Sequence, residues 1–428
     1  MLLLPAIAFS QEEEKKWGIK FHGFVKTDII YDSRQSVAVR EGHFHLYPKP
    51  ELIDSQGDDI NAQPYFNILS IQTRLKGVIT GPDVLGAKSS ALIEGAFFGH
   101  SADDVNGFRL RHAFAKLTWT KTELLVGQYW HPMFITDCFP GTVSFNTGAP
   151  FQPFTRNPQV RLSHKFGNIT AQVAAMSQRD FTDAGVNPAS PGDLSAVSAS
   201  SFYLRNAVLP ELNLTLQYQT SFGNTGFLFG LSGNYKKLSP RLESEIIDKN
   251  SEKVIASYKS NENVEGMSGM AFMKLKFPDF TFKAEAVLGQ CTYGWTMLGG
   301  YVAQKLSDPD KMFYDFEPLD VFSMWTDIHT NGNKWQLGIF AAYSQNWGAS
   351  SDIKTNYFFA RGYSSGNYIN YLYRISPRVM YNVGKMRFAC ETEYTSVNYG
   401  KTIDSKGVVH EGTDVANLRL LLAVYYFF

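Results

Sequence analysis

Four arginines define the chemistry this chain could do. Arg109 and Arg111 stand two apart in Gly107-Phe108-Arg109-Leu110-Arg111-His112. In an extended strand both guanidiniums therefore share one face, opposite Phe108 and Leu110. Arg161 lies between Val160 and Leu162, and Arg74 between Thr73 and Leu75, in the same alternation. Lys26, on the polar face of the first strand, adds a further cation. The planar fork of arginine fits carboxylate, sulfonate and phosphate groups, so the expected chemistry is non-covalent recognition of small anions. The blander reading pairs each arginine with an acid such as Asp28, Glu94, Glu285 or Glu391. The 9 histidines show no close metal-ligand spacing, and His43 and His45 are only a loop pair on one strand face. No Gly-rich phosphate loop and no compact nucleophile–base motif stands out, so neither cofactor nor metal is expected, and no catalytic residue.

The elements that must position these residues are strands. Ile19, Phe21, Gly23, Val25, Thr27, Ile29 and Tyr31 alternate with Lys20, His22, Phe24, Lys26, Asp28, Ile30 and Asp32. Leu212, Leu214, Leu216 and Tyr218 alternate with Asn213, Thr215, Gln217 and Gln219, and similar segments recur along the whole chain. Apolar-out, polar-in segments of about ten residues are the signature of transmembrane β-barrels. Arginine on a lipid face costs about 2–4 kcal/mol at the bilayer midplane, so all four arginines are expected to face the lumen. Parity fails inside 108–120, where His112 shares a face with Leu110 and Phe114; a bulge there would account for it.

Composition narrows the class further. The chain has 428 residues, 40 basic and 40 acidic, with charged residues at 19% against the roughly 25% usual for soluble proteins. Zero net charge leaves no basic surface for nucleic acid. The longest strictly apolar run, Leu420–Phe428, has nine residues, half the roughly 18 a helical span requires. Residues 1–10 read as a residual signal peptide and 11–17 as a short periplasmic segment, with 18–428 a single barrel. Leu418, Leu420, Leu422, Val424, Tyr426 and Phe428 form an apolar row ending on a terminal aromatic. That row resembles the last-strand signal of outer-membrane barrels and places the chain in the outer membrane of a Gram-negative bacterium, among lipid and lipopolysaccharide.

Tight turns are expected at 81–83, 121–122, 166–168, 210–211, 278–279, 331–333 and 383–384. Long loops are expected at about 33–65, 131–156, 179–199, 291–320, 347–365 and 400–413. Short turns would be periplasmic and long loops extracellular. The fold class is all-β: an antiparallel transmembrane barrel of sixteen strands, or eighteen if the weak segments near 200–209 and 240–258 count. Barrels of this size leave an aqueous channel. Within the 131–156 loop, the run His131–Pro150 holds aromatics, Pro and Gly but one formal charge, Asp137. Folding against the inner wall suits that composition, with Asp137 facing the arginine row; an external cap is the competing reading. Cys138, Cys291 and Cys390 leave room for one disulfide, and nothing selects a pair.

The runs Phe108-Arg-Leu-Arg-His-Ala-Phe114, Leu124-Leu-Val-Gly-Gln-Tyr-Trp130 and Arg156-Asn-Pro-Gln-Val-Arg-Leu162 resemble those of the DcaP-like porins. Gly23-Phe-Val-Lys26-Thr-Asp28, Glu94-Gly-Ala-Phe-Phe-Gly99 and Tyr235-Lys-Lys-Leu-Ser-Pro-Arg241 extend the likeness over most of the chain. The resemblance implies a trimeric sixteen-strand barrel that passes small anionic solutes such as dicarboxylates. It also implies that the loop after Gly127-Gln128 folds inward and that Arg109, Arg111 and Arg161 line the narrow zone. Family members often carry a longer N-terminal coiled-coil segment, where this chain offers Gln11–Trp17. The alternatives from other classes are a barrel hydrolase with a site at the rim and an adhesive or structural barrel.

Overall fold

The computed structural model describes residues 17–248, 251 and 253–428. The residues read as a signal peptide and, apart from Trp17, those of the periplasmic segment lie outside them. Sixteen membrane strands close one antiparallel barrel. They are β1 (Gly18–Asp32), β2 (Tyr65–Leu69 and Arg74–Thr80), β3 (Lys88–Ala96) and β4 (Arg109–Thr118). Next come β5 (Thr122–Trp130), β6 (Arg156–Phe166), β7 (Ile169–Met176) and β8 (Glu211–Phe222). Then follow β9 (Thr225–Leu238), β10 (Val264–Lys276), β11 (Phe280–Gly289) and β12 (Asp320–Thr330). The last four are β13 (Trp335–Gly348), β14 (Asn367–Val383), β15 (Met386–Gly400) and β16 (Thr413–Phe427). Each strand pairs with the next, and β1 closes the ring on β16 from Phe24↔Phe427 to Asp32↔Arg419.

Alternation in the sequence becomes alternation of environment. In β8, Leu212, Leu214 and Leu216 are 39%, 49% and 44% exposed to the lipid side, whereas Asn213 and Thr215 are 5% and 3% exposed. Exposed Phe21, Phe166, Trp335 and Phe428 cluster toward the short-turn end, the position of an aromatic girdle. Short turns join the strands at the periplasmic end, and eight longer loops at the extracellular end: L1 (33–64), L2 (97–108), L3 (131–155), L4 (177–210), L5 (239–263), L6 (290–319), L7 (349–366) and L8 (401–412).

Three sequence expectations change. The eighteen-strand count fails because 202–206 is a short helix in L4, and the strands Glu243–Ile247 and Val254–Lys259 pair only with each other in L5. Pro210-Glu211 ends L4 and enters β8; the turn lies at Gly223, whose φ of +55° suits a residue without a side chain. All three cysteines are free thiols, so no disulfide forms. The irregularity in 108–120 is a bulge: Glu94 pairs with His112 and Gly95 with Leu110, which leaves Arg111 as the extra residue.

The lumen is not lined by one loop alone. L1 carries a hairpin, Ser36–Val39 with Phe44–Pro48, and its Phe44, Leu46 and Tyr47 are buried. These join Met133, Phe145 and Phe151 of L3 and Trp295 and Leu298 of L6 in one apolar cluster against Phe340 and Leu372 of the inner wall. Backbone amides inside a barrel need partners as much as side chains need burial, so loops that fold inward arrive with their own polar anchors.

Candidate pore constriction

L3 is fastened to the barrel by charged groups of the inner wall. Lys26, fully buried, donates to Gln72 Oε1 at 2.5 Å and to the Val143 carbonyl at 2.9 Å, and its ammonium lies 2.9 Å from Asp28 Oδ1. The Val143 and Ser144 amides donate to Glu391, Asn146 donates to Glu393 at 2.9 Å, and the Gly141 amide donates to Asp327 at 3.3 Å. Lys283 reaches the Phe139 carbonyl at 2.8 Å and Arg374 the Ala149 carbonyl at 2.8 Å. Lys26 is thus a loop anchor whose donors are engaged by the protein. Of the acids considered as arginine partners, Asp28 takes Lys26 and Glu391 takes the loop amides. Glu285 is buried without a hydrogen bond, and only Glu94 pairs with the arginines.

Beside this loop the chain collects five guanidiniums. β4 supplies Arg109 and Arg111, β2 supplies Arg74, β6 begins with Arg156, and the tip of the L1 hairpin supplies Arg40. The bulge lets Arg111 and His112 both be buried on consecutive positions. Two carboxylates pair directly with the five, and Asp104 of L2 acts on Arg109 at longer range. Glu94 Oε1 lies 2.7 Å from Arg111 Nε and 3.5 Å from Arg74 Nε, while Asp180 of L4 pairs with Arg109 and lies 3.1 Å from Arg156. Aromatic faces complete the wall. Phe98 lies 4.6 Å from Arg40, 5.6 Å from Arg109 and 5.5 Å from Arg111, and Trp130 lies 4.6 Å from Arg156.

Direct ion pairs offset only two of the five charges, and the cluster is nearly closed to solvent. Arg40, Arg109, Arg111 and Arg156 are 1%, 4%, 2% and 1% exposed. Arg40 Nε and Nη2, Arg111 Nη1 and Arg156 Nε and Nη1 have no hydrogen-bond partner. Burial, then the charges of Arg109 and Arg111, pull the Arg40 guanidinium down to about 9. The L1 tip that carries it turns through three consecutive left-handed residues, Arg40, Glu41 and Gly42, at φ +59°, +54° and +85°, an unfavourable path for the two that bear side chains. Unpaired buried donors are costly. An anion among them would satisfy several at once with charge-assisted bonds.

Arg74 and Arg111 open onto a cavity of about 580 Å³ beneath L3, which Lys76, Lys283, Arg378 and Arg387 also line. Arg161 stands apart. It donates to Gln159 at 2.8 Å and to the Trp130 carbonyl at 2.5 Å, stacks over Tyr129, and borders a second cavity of about 380 Å³ with Asp137 and Lys165. Asp137 is exposed and faces that second cavity. Larger recesses on the outer wall, among Leu216, Phe229, Leu231 and Met324, are apolar and lipid-facing. Sequence reasoning passed over Arg40, Arg156 and Asp180. Arg156 is five residues from Arg161, so strict alternation puts it on the other face, and Arg40 and Asp180 lie in segments read as solvated loops.

No protein-family model and no curated protein sequence matches the chain. Solved structures do. The outer membrane channel DcaP of Acinetobacter baumannii superposes with a TM-score of 0.66 at 15% identity, over 98% of this chain and 99% of that one. The fold is that of the outer-membrane porins. OmpT, an outer membrane protein of Vibrio cholerae, follows with a TM-score of 0.51 at 11% identity, over 97% of this chain and 99% of that one. An anion-selective porin from Comamonas acidovorans gives 0.50 at 12% identity, over 96% of this chain and all of that one.

Proposed function

We propose that this porin-fold barrel is a passive channel of the Gram-negative outer membrane that favours small anions, dicarboxylates among them. The observation that carries the reading is the cluster of Arg40, Arg74, Arg109, Arg111 and Arg156, which among the described residues forms ion pairs with Glu94 and Asp180 alone and leaves several buried guanidinium nitrogens without a hydrogen-bond partner. Fixed cations in a narrow low-dielectric zone raise the local concentration of anions and repel cations. Arg74, Arg109 and Arg111 take the main part. Arg161 and Asp137 set the field across the second cavity, and Lys26 holds L3 in place. The apolar outer wall suits association of barrels side by side, and we extend the proposal to a homotrimer.

Swelling of proteoliposomes in isotonic solutes tests it. A dicarboxylate should enter several-fold faster than a neutral sugar of similar size, and equal rates would remove the anion preference. The packing of L1, L3 and L6 inside the lumen and the low exposure of the cluster favour a second reading, a structural or adhesive barrel. That reading predicts no swelling in any solute.

A further inference from the structure

Below L3 six of the sixteen strands carry an inward-parity cation. Lys20 on β1, Lys76 on β2, Lys165 on β6, Lys274 on β10, Lys283 on β11 and Arg387 on β15 share strand parity with inward residues of the same strands. Among the described residues, Lys20, Lys76, Lys165 and Lys274 have no carboxylate partner. Lys274 and Lys283 lie directly opposite each other across the β10–β11 pair, a placement that destabilises a sheet. Asp327 is the next residue across from Lys283, but Arg378 holds it with two bonds of 2.8 and 3.1 Å and His329 with a third of 2.9 Å. Repulsion of this kind, left in place where an acid would relieve it, points to a mobile counter-ion.

The opposite end carries the opposite sign. Among the described residues the eight extracellular loops hold 22 acidic residues against 14 basic ones, although the whole chain is neutral. The charge is therefore graded along the pore axis, acidic at the long loops and basic at the short turns.

We propose that the periplasm-facing wall of the lumen forms a further anion site, continuous with the cavity onto which Arg74 and Arg111 open, that takes multivalent anions bearing two or more phosphate or carboxylate groups and is loaded from the periplasmic side. The inference rests on the porin reading above. Lysine ammoniums are compact charges on flexible stems without the fixed fork of arginine, so several can converge on a dense polyanion whatever its shape. The acid excess of the loops disfavours approach of the same anion from outside. The site acts on the current as a one-sided block.

The test is block of single channels by inorganic tripolyphosphate in planar bilayers, with orientation set by a biotin label in L8. At about 0.1 M salt, where the Debye length is about 10 Å, the half-blocking concentration should be at least tenfold lower from the short-turn side. K76Q/K165Q/K274Q should abolish that difference, whereas R74Q/R109Q/R111Q should keep it while losing anion selectivity. At about 1 M salt, with a Debye length of about 3 Å, the difference should vanish in the unaltered protein, which decides the matter if the lysine variant does not insert. Equal block from both sides of a conducting channel at low salt would overturn this site alone, as would sidedness that survives the lysine substitutions or 1 M salt. A barrel that never conducts would overturn both this site and the porin reading.

Discussion

Arg111 donates from Nε to Glu94 Oε1 at 2.7 Å, and the same oxygen lies 3.5 Å from Arg74 Nε, so one carboxylate steadies two guanidiniums of the cluster. Glu94→Gln removes a negative charge where five positive charges converge. Breaking one side of a buried ion pair costs about 3–5 kcal/mol, which should lower the temperature at which the barrel unfolds in detergent. Anion preference should nevertheless rise, because the cluster gains one net charge. An unchanged reversal potential in the variant would show that Glu94 is remote from the conducting path.

The tethers of L3 make a mechanical prediction. Glu391 accepts from the amides of Val143 and Ser144, and Lys26 donates to the Val143 carbonyl from the other side. Hydrogen bonds to charged groups contribute about 1.5–3 kcal/mol each. Glu391→Ala and Lys26→Met should each loosen the loop and increase open-channel noise, with little change in the yield of folded barrel. Quiet channels of unaltered size in both variants would mean that L3 is held by its apolar contacts alone.

Acid should loosen L1. Burial, then the charges of Arg40, Lys26 and Arg419, hold His43 well below its usual range, and His45 is lowered by burial and by Arg419. Both are bases kept neutral while the hairpin is docked, and released imidazoles titrate near 6.5. Release therefore takes up protons, and docking weakens as pH falls through about 6.5, by about 2 kcal/mol per histidine at pH 5 as an upper figure. Hydrogen exchange of residues 36–48 should speed up between pH 7 and pH 5 beyond the intrinsic chemical effect. His43→Gln should roughly halve that response, and an unchanged response would assign the proton elsewhere.

Phe428 extends the seam that closes the barrel. The Gly23 amide donates to the Phe428 carbonyl and the Phe428 amide to the Gly23 carbonyl, both at 3.2 Å. Deleting Phe428 removes this pair together with an apolar contact at the girdle. Surface-exposed, heat-modifiable barrel should fall several-fold; full recovery in the deletion would count against the role given to the terminus.

Much of the barrel was legible because the lipid imposes a period of two on the outward face, as in Leu212, Leu214 and Leu216. The misplaced turn at Pro210-Glu211 shows the limit: Pro marks a break in a strand without saying how long the break is. Arg109, Arg111 and Arg74 could be read from alternation. Arg40 and Asp180 could not, because inward folding of a loop is decided by packing against distant strands. One local signal did exist in L1: the seven residues Gly42–Pro48 between Glu41 and Lys49 carry no formal charge, a composition like that of L3. The bulge at Arg111 was visible as broken parity, but the strand opposite it, where Glu94 and Gly95 bracket it, was not.

The arginine cluster is the centre of the account, and the zero-current reversal potential under a salt gradient tests it most directly. Measurements at about 0.1 M on the dilute side keep the Debye length near 10 Å, so fixed charges act at full range. The unaltered channel should give a potential of the sign for anion preference. R74Q/R109Q/R111Q removes three charges of the cluster while keeping hydrogen-bond donors, and its potential should move most of the way to zero. If the triple variant inserts, conducts and keeps the original potential, the arginines are balanced within the protein and the anion-channel reading is contradicted.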